Sequence, residues 1–184
     1  MKKTHKWLVY IVLGIILKAA IVLIFVLAFL RTRAPKLRFS SVSVQRLQTL
    51  TFNSSLSSAS FAMELKTQIT VKNNYLGKFE FGDSTVTMFA LGYPVGEAVI
   101  GKGKAKAMST KKMDVSVSLS SEKVTAKRML ASDLESGKLG LWSRGTLKGK
   151  VRFFKVIKRK KTAEMNCRMD LITNTKAIEN LHCD

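Results

Sequence analysis

The sequence predicts a mainly β protein: an antiparallel β-sandwich with one short helix, preceded by a single N-terminal transmembrane helix. Three observations carry this. One 24-residue apolar run, Trp7–Leu30, stands near the N-terminus. A period of two dominates the residues that follow, as expected of strands with one face in a core. One later segment alone breaks that period with helical spacing.

The apolar run reads WLVYIVLGIILKAAIVLIFVLAFL, with Lys18 as its single charge. As a helix it extends about 36 Å at ~1.5 Å per residue, enough to cross a hydrocarbon core of about 30 Å with some tilt. A secretory signal peptide has a shorter apolar region, about 7–15 residues, ending in a small-x-small cleavage site. Lys18-Ala19-Ala20 interrupts the run, but Leu17 and Lys18 stand where small residues would be needed. The run therefore reads as an uncleaved anchor. Lys18 reads as a snorkelling side chain or a local water defect, at a cost of about 2.5–3.5 kcal/mol, with contact to a partner helix of another membrane protein as the alternative. Lys2, Lys3 and Lys6 before the span nearly balance Arg31, Arg33, Lys36 and Arg38 after it. The positive-inside rule thus leaves orientation open.

The expected organisation is a short tail (1–6), the transmembrane helix (7–30), a basic juxtamembrane linker (31–36) and a β domain (37–184). In the domain, Phe61, Met63, Leu65, Ile69 and Val71 alternate with polar residues, as do Met113, Val115, Val117 and Leu119, and Met165, Cys167, Met169 and Leu171. Leu37–Leu50, Phe79–Leu91, Val95–Ala107 and Leu139–Phe154 read as further strands, less cleanly alternating. Turn signals fall at Asn73-Asn74, Gly82-Asp83, Gly92-Tyr93-Pro94 and Ser136-Gly137-Lys138. About seven strands at this spacing suit a sandwich. In Glu122–Glu135, Ala126, Met129, Leu130 and Leu134 follow helical spacing, with Gly137 as the stop.

Composition excludes several classes. With 46% hydrophobic residues the 184-residue chain is not disordered for want of a core, and 2 prolines and 2 cysteines exclude a collagenous chain or a disulfide-dense miniprotein. The two histidines, His5 and His182, lie at opposite ends, which removes most metal sites and most His-dependent catalysis. Gly140-Leu-Trp-Ser143-Arg-Gly145 superficially resembles a nucleophile elbow, but its glycine is three residues before the serine instead of two. Gly101-Lys102-Gly103 lacks the third glycine and the following helix of a dinucleotide loop. No nucleophile–base constellation, carboxylate pair or ligand spacing is visible, so neither an enzyme nor a cofactor is expected.

Cys167 and Cys183 admit two readings. Cys167 lies on the apolar phase of its strand and can be a buried, inert thiol. Alternatively the pair forms a disulfide, worth about 3 kcal/mol in the chain-entropy model, which requires a lumenal or extracellular domain. Asn53-Ser54-Ser55 is an N-glycosylation sequon.

The chain carries 32 basic and 12 acidic residues, formally +20. All the acids and all but four of the basic residues fall in 31–184. Lys155, Lys158, Arg159, Lys160 and Lys161 are expected at a hairpin tip, and Lys102, Lys104, Lys106, Lys111 and Lys112 form a second run. The plain reading of such runs is a solvated loop and a polar strand face. The functional reading is contact with anionic lipid headgroups, at about 1 kcal/mol per basic residue, or with cell-wall polyanions. Nucleic acid is disfavoured, because no aromatics are interleaved for base stacking.

Several stretches, in order, resemble one family. They are Phe39-Ser-Ser-Val-Ser-Val44, Ile69-Thr-Val-Lys-Asn-Asn74, Gly92-Tyr-Pro-Val-Gly-Glu-Ala98 and Asp133-Leu-Glu-Ser-Gly-Lys-Leu139, then Lys148-Gly-Lys-Val-Arg152, Lys158-Arg-Lys-Lys161, Met165-Asn-Cys167 and Cys183. With the span they resemble the plant late embryogenesis abundant group-two proteins, also called the hydroxyproline-rich glycoprotein family, which includes the disease-resistance and harpin-induced-like membrane proteins. The chain departs at Asn73-Asn74-Tyr75, where the family commonly has Asn-Pro-Asn. About six residues precede the span, where many members have a longer cytosolic tail, and 2 prolines do not suit the label hydroxyproline-rich. The resemblance implies a fibronectin-III-like sandwich without catalytic activity, at the plasma membrane and often at plasmodesmata, acting in defence or abiotic stress. The leading expectation is a single-pass protein displaying a β-sandwich on the non-cytosolic side and acting by binding. The alternative is a lipid carrier or membrane-contact tether using an apolar cleft between the sheets and a basic tip.

Overall fold

The computed structural model describes residues 2–30, 34–53, 58–153 and 157–184. The chain divides into two compact units, Met1–Arg33 and Ala34–Asp184. The first holds helix α1, Lys2–Leu30. Within it Trp7–Val26 is long and apolar enough to cross a membrane, and its side chains are exposed throughout. Nothing acidic stands among them to partner Lys18.

The second unit is an antiparallel β structure of ten strands among the described residues. They are β1 (Lys36–Asn53), β2 (Ser58–Lys72), β3 (Lys78–Phe81), β4 (Ser84–Ala90), β5 (Tyr93–Ile100), β6 (Gly103–Ala105), β7 (Thr110–Ser120), β8 (Lys138–Phe153), β9 (Ile157–Ile172) and β10 (Ala177–Cys183). A 3-10 turn (Ser121–Lys123) and helix α2 (Lys127–Glu135) separate β7 from β8. One group is β1-β2-β7, with β1 paired to β2 from Lys36↔Lys72 to Asn53↔Ser58. The other is organised on β8. One edge of β8 pairs along its length with β9, which carries β10; the other edge holds β4 and then β3, with β5 beyond β4 and β6 beyond β3. Among the described residues a single pair, Gly96↔Leu119, joins the two groups into one barrel-like sheet. A Cβ at Gly96 would collide with the Ser118 carbonyl oxygen and the Leu119 side chain, so only glycine lets the groups approach there.

Alternation decides which side chains fill the interior. Phe61, Met63, Leu65, Ile69 and Val71 of β2, Val117 and Leu119 of β7, and Met165, Cys167, Met169 and Leu171 of β9 are all buried in one core. Each such side chain contributes about 1.5–3 kcal/mol on burial. Two expected long strands are each divided. Phe79–Leu91 breaks at Gly82-Asp83, where Asp83 Oδ1 accepts the Lys102 backbone N–H at 2.6 Å. Val95–Ala107 breaks at Gly101-Lys102, letting β5 follow β4 while β6 follows β3.

The single short helix begins later than its apolar spacing suggests. Leu130, Ala131 and Leu134 are buried, whereas Met129 is 60% exposed. The buried stripe is therefore one position round from the expected one, with Ala131 replacing Met129. Gly137 has φ +87° and donates its N–H to the Leu134 carbonyl, as a left-handed C-terminal stop requires.

Candidate functional site

The two ends of the β unit differ in chemistry. We call the end at which the chain arrives, at Ala34, the root, and the end carrying α2 the crown. At the root meet the start of β1, the loop 73–77 between β2 and β3, the loop 106–109 between β6 and β7, and the ends of the β8–β9 hairpin.

Asn73 organises the root. It is 1% exposed, and its Nδ2 donates to the carbonyls of Gly77 at 2.7 Å and Lys106 at 2.8 Å. Its Oδ1 accepts the Tyr75 N–H at 3.0 Å, a local turn of the kind asparagine favours. Its backbone N–H reaches Ser109. Asn74 Nδ2 donates to the Ala34 carbonyl at 3.3 Å, tying the arriving chain to this loop. The sequence reading of 73–74 as a loop finds the turn but not the buried amide.

Around this neutral support lies a basic sheet face. Cross-strand register sets Lys104, Glu80, Lys150 and Lys160 in one row on β6, β3, β8 and β9, and Lys78, Arg152 and Lys158 in the next. All seven point outward, because Phe79, Phe81 and Val151 take the inward phase. Glu80 is the acid within the array, 2.8 Å from Arg152 Nε and 3.7 Å from Lys104 Nζ. A groove of about 560 Å³ runs over Lys148, Lys150, Arg152 and Lys160.

The structure thus brings Lys104 of the second basic run beside Lys158 and Lys160 of the first, while Lys111 and Lys112 lie on β7 beside β2, and Lys102 and Lys106 stand at the turns flanking β6. It also corrects their setting. Lys158, Arg159, Lys160 and Lys161 are rungs of β9, opposite Arg152, Val151, Lys150 and Gly149, and not a hairpin tip. Lys155 lies outside the described residues. Lys161 turns from the array, with its Nζ 5.5 Å from the Tyr75 ring centroid. Lys78, Lys148, Lys150 and Arg152 were missed as site residues. Their signal was the alternation Lys148-Gly149-Lys150-Val151-Arg152, whose charges share one strand face.

At the crown, Lys123, Lys127, Arg128, Lys138 and Lys176 are interspersed with Glu122, Asp133, Glu135, Asp170 and Glu179. Burial works to raise the Asp170 pKa. The hydrogen bond from Asn180 and the Lys138 ammonium at 3.0 Å outweigh it and hold the carboxyl below its ordinary value. Polar ties hold the segment between β7 and β8: Thr173 Oγ1 donates to the Leu134 carbonyl of α2, and Ser121 Oγ of the 3-10 turn accepts the Phe61 N–H at 2.9 Å.

The remaining candidate residues are as follows. Cys167 and Cys183, directly opposite on β9 and β10, are joined in a disulfide. Asn53 ends β1, while Ser54 and Ser55 of its sequon lie outside the described residues. Ser143 is wholly buried on β8 opposite Cys167, so its hydroxyl faces the core and not a substrate. Large side chains, including Phe61, Phe79, Met88 and Leu119, fill the space between the layers that an apolar lipid cleft would occupy.

Fold and surface together define a small, mainly β domain following an apolar helix. Residues 68–169 match the family described as late embryogenesis abundant protein. The chain is also 31% identical, over 97% of its length, to late embryogenesis abundant protein At1g64065 of Arabidopsis thaliana, 83% of which is covered. The chain belongs to the late embryogenesis abundant family. The solution structure of AT1g01470 from Arabidopsis thaliana has a similar fold, with TM-score 0.50 and 14% identity over 77% of this chain and 83% of that one. A crystal structure of a protein from Archaeoglobus fulgidus is a weaker match, at TM-score 0.41 and 13% identity over 73% of this chain and 97% of that one.

Proposed function

We propose that α1 anchors this protein in a bilayer and that the root of its β domain binds the anionic headgroups of that bilayer. On this reading the protein is not an enzyme and acts by binding in stress or defence responses. The observation that carries it is the gathering of Lys78, Lys104, Lys150, Arg152, Lys158 and Lys160, from four strands, on one sheet face at the end where the chain arrives. Residues 31–33, which separate Leu30 from Ala34, reach at most about 14 Å whatever orientation the domain takes. Near a leaflet that carries anionic headgroups each basic residue contributes about 1 kcal/mol, so a domain on the non-cytosolic side requires anionic lipid in that leaflet. Family membership supports the stress-related role, and the exposed apolar side chains of Trp7–Val26 support the anchor.

The disulfide favours a non-cytosolic domain, since such bonds persist in oxidising compartments. Plasma membrane and plasmodesmata are the proposed locations. Glycan on Asn53 of the native protein, or protection of the domain from protease in sealed microsomes, supports that side; digestion without detergent in vesicles with the lumen inside overturns it. Carriage of lipid between the sheets is the weaker reading, because large side chains occupy that space.

The test uses the full chain in nanodiscs of neutral or anionic lipid. Binding of the folded domain to headgroups raises its melting temperature in anionic discs at low salt, and high salt removes the difference. The combined variant Lys78→Gln, Lys150→Gln, Lys158→Gln, Lys160→Gln removes it at any salt. Equal melting in both lipids at low salt would sink the proposal.

A further inference from the structure

A second groove, unlike the basic face, lies on the outer surface of β8 and β9 toward the crown. Its volume is about 730 Å³, within the range of about 300–1,000 Å³ of small-molecule sites. Gly140 opens the floor, since nothing lies within 4 Å of where its Cβ would stand. Trp142 forms a wall and is 37% exposed. Phe89 stacks on one face of the indole, with centroids 4.3 Å apart and planes 15° apart. Trp142 pairs with Phe89 of β4 on one side and with Arg168 of β9 on the other, and the groove is lined by Asn166–Asp170 of β9. The stack fixes the ring without covering both its faces.

The polar groups across the groove are mixed. Register sets Arg144 beside Asn166, Trp142 beside Arg168 and Gly140 beside Asp170. Arg144 Nε and Asn166 Oδ1 are 3.5 Å apart. Asp133 and Asp184 also line the groove, so the guanidinium groups of Arg144 and Arg168 are offset by three carboxylates and the groove carries no excess positive charge. A ligand selected for negative charge is better served by the root. This groove suits one that is uncharged, has a flat apolar face and offers hydroxyls that both donate and accept.

We propose that the Trp142 groove binds an uncharged oligosaccharide. The C–H face of a pyranose ring lies against the electron-rich indole face, and its hydroxyls meet Arg144, Asn166, Arg168 and Asp170. The site is independent of headgroup binding at the root.

The test is calorimetric titration of the full chain in detergent micelles with xylohexaose or cellohexaose, and with hexagalacturonate as the charged counterpart. Saturable binding of a neutral hexamer, insensitive to salt, is expected. Trp142→Ala or Arg168→Ala weakens it at least about tenfold, while Trp142→Phe, which keeps an aromatic plane, stays within about threefold. Circular dichroism checks that each variant is folded, and the Phe variant keeps the test decisive if the Ala variant is not. The proposal fails if neither neutral hexamer binds up to its solubility limit. It fails equally if only hexagalacturonate binds, in a manner that salt abolishes and Trp142→Ala leaves intact.

Discussion

At the root of the β domain, cations on β3, β6, β8 and β9 stand in adjacent rows around one acid, Glu80. At the crown, lysines and arginines are matched by acids, and Asp170 sits between Lys138 and Asn180. β8 and β9 run through both ends, so one pair of strands carries both kinds of surface. Like charges on neighbouring strands repel and cost stability. The root carries that cost on a support that is neutral and buried, the Asn73 amide with its carbonyl partners. The crown carries no such one-sided charge: apolar contacts lie under α2 and balanced charge above it. A surface that gives up stability for charge of one sign is what the proposed anionic partner requires.

Leu134→Ala should break the crown most severely. Leu134 is wholly buried, and truncation of such a residue costs about 2–5 kcal/mol. At about 2–4 °C per kcal/mol for a domain of this size, a melting curve reads it directly. Below the new melting point, binding at the root should be unchanged; a parallel loss of anionic-lipid binding would mean that the ends are not independent.

Neutralising Lys78, Lys150, Lys158 and Lys160 should act oppositely. It removes up to about 4 kcal/mol of headgroup attraction, roughly a thousandfold in binding. In neutral discs it should leave the melting temperature equal or slightly raised, because self-repulsion is relieved. A lowered melting temperature there would show these side chains to be structural.

Asn73→Ala should loosen the root without altering its charge. Each buried group left unpaired costs about 1–3 kcal/mol. Hydrogen exchange should accelerate at 73–77 and 106–109 and remain unchanged in α2. Uniform acceleration would remove Asn73 as a local support.

The smallest effect concerns acid. The Asp170 carboxyl lies below its ordinary value in the folded protein, so its contribution is complete above the unfolded carboxylate pKa of about 3.9 and is lost as pH falls through the folded value. Asp170→Asn should flatten the fall in melting temperature below about pH 4 and cost about 0–1 kcal/mol at neutral pH, as exposed pairs do. An unchanged acid limb would show that Asp170 is not the group responsible.

The amount of this legible in the sequence follows from range. Alternation along β2, β7 and β9 is local, and the inward phase of Phe61–Val71 and Met165–Leu171 could be read from it. Gly137 was legible for the same reason, since a stop signal acts on its own helix. Met129 misled because a single short helix has too few turns to fix its apolar stripe before its partners are known. The basic face was half legible. Lys158–Lys161 stand out as a run, but Lys150 and Lys104 join them only through cross-strand register, which no local pattern states. The Trp142 groove was hidden for the same reason: Phe89, Trp142 and Arg168 are neighbours only once β4, β8 and β9 pair.

The most direct test is hydrogen exchange of the full chain in anionic and in neutral nanodiscs at low salt. The account predicts that anionic lipid slows exchange at 72–78, 104–112 and 148–153, with α2 and 173–176 unchanged. Slowing confined to the crown, or no difference between the lipids at either end, would contradict it.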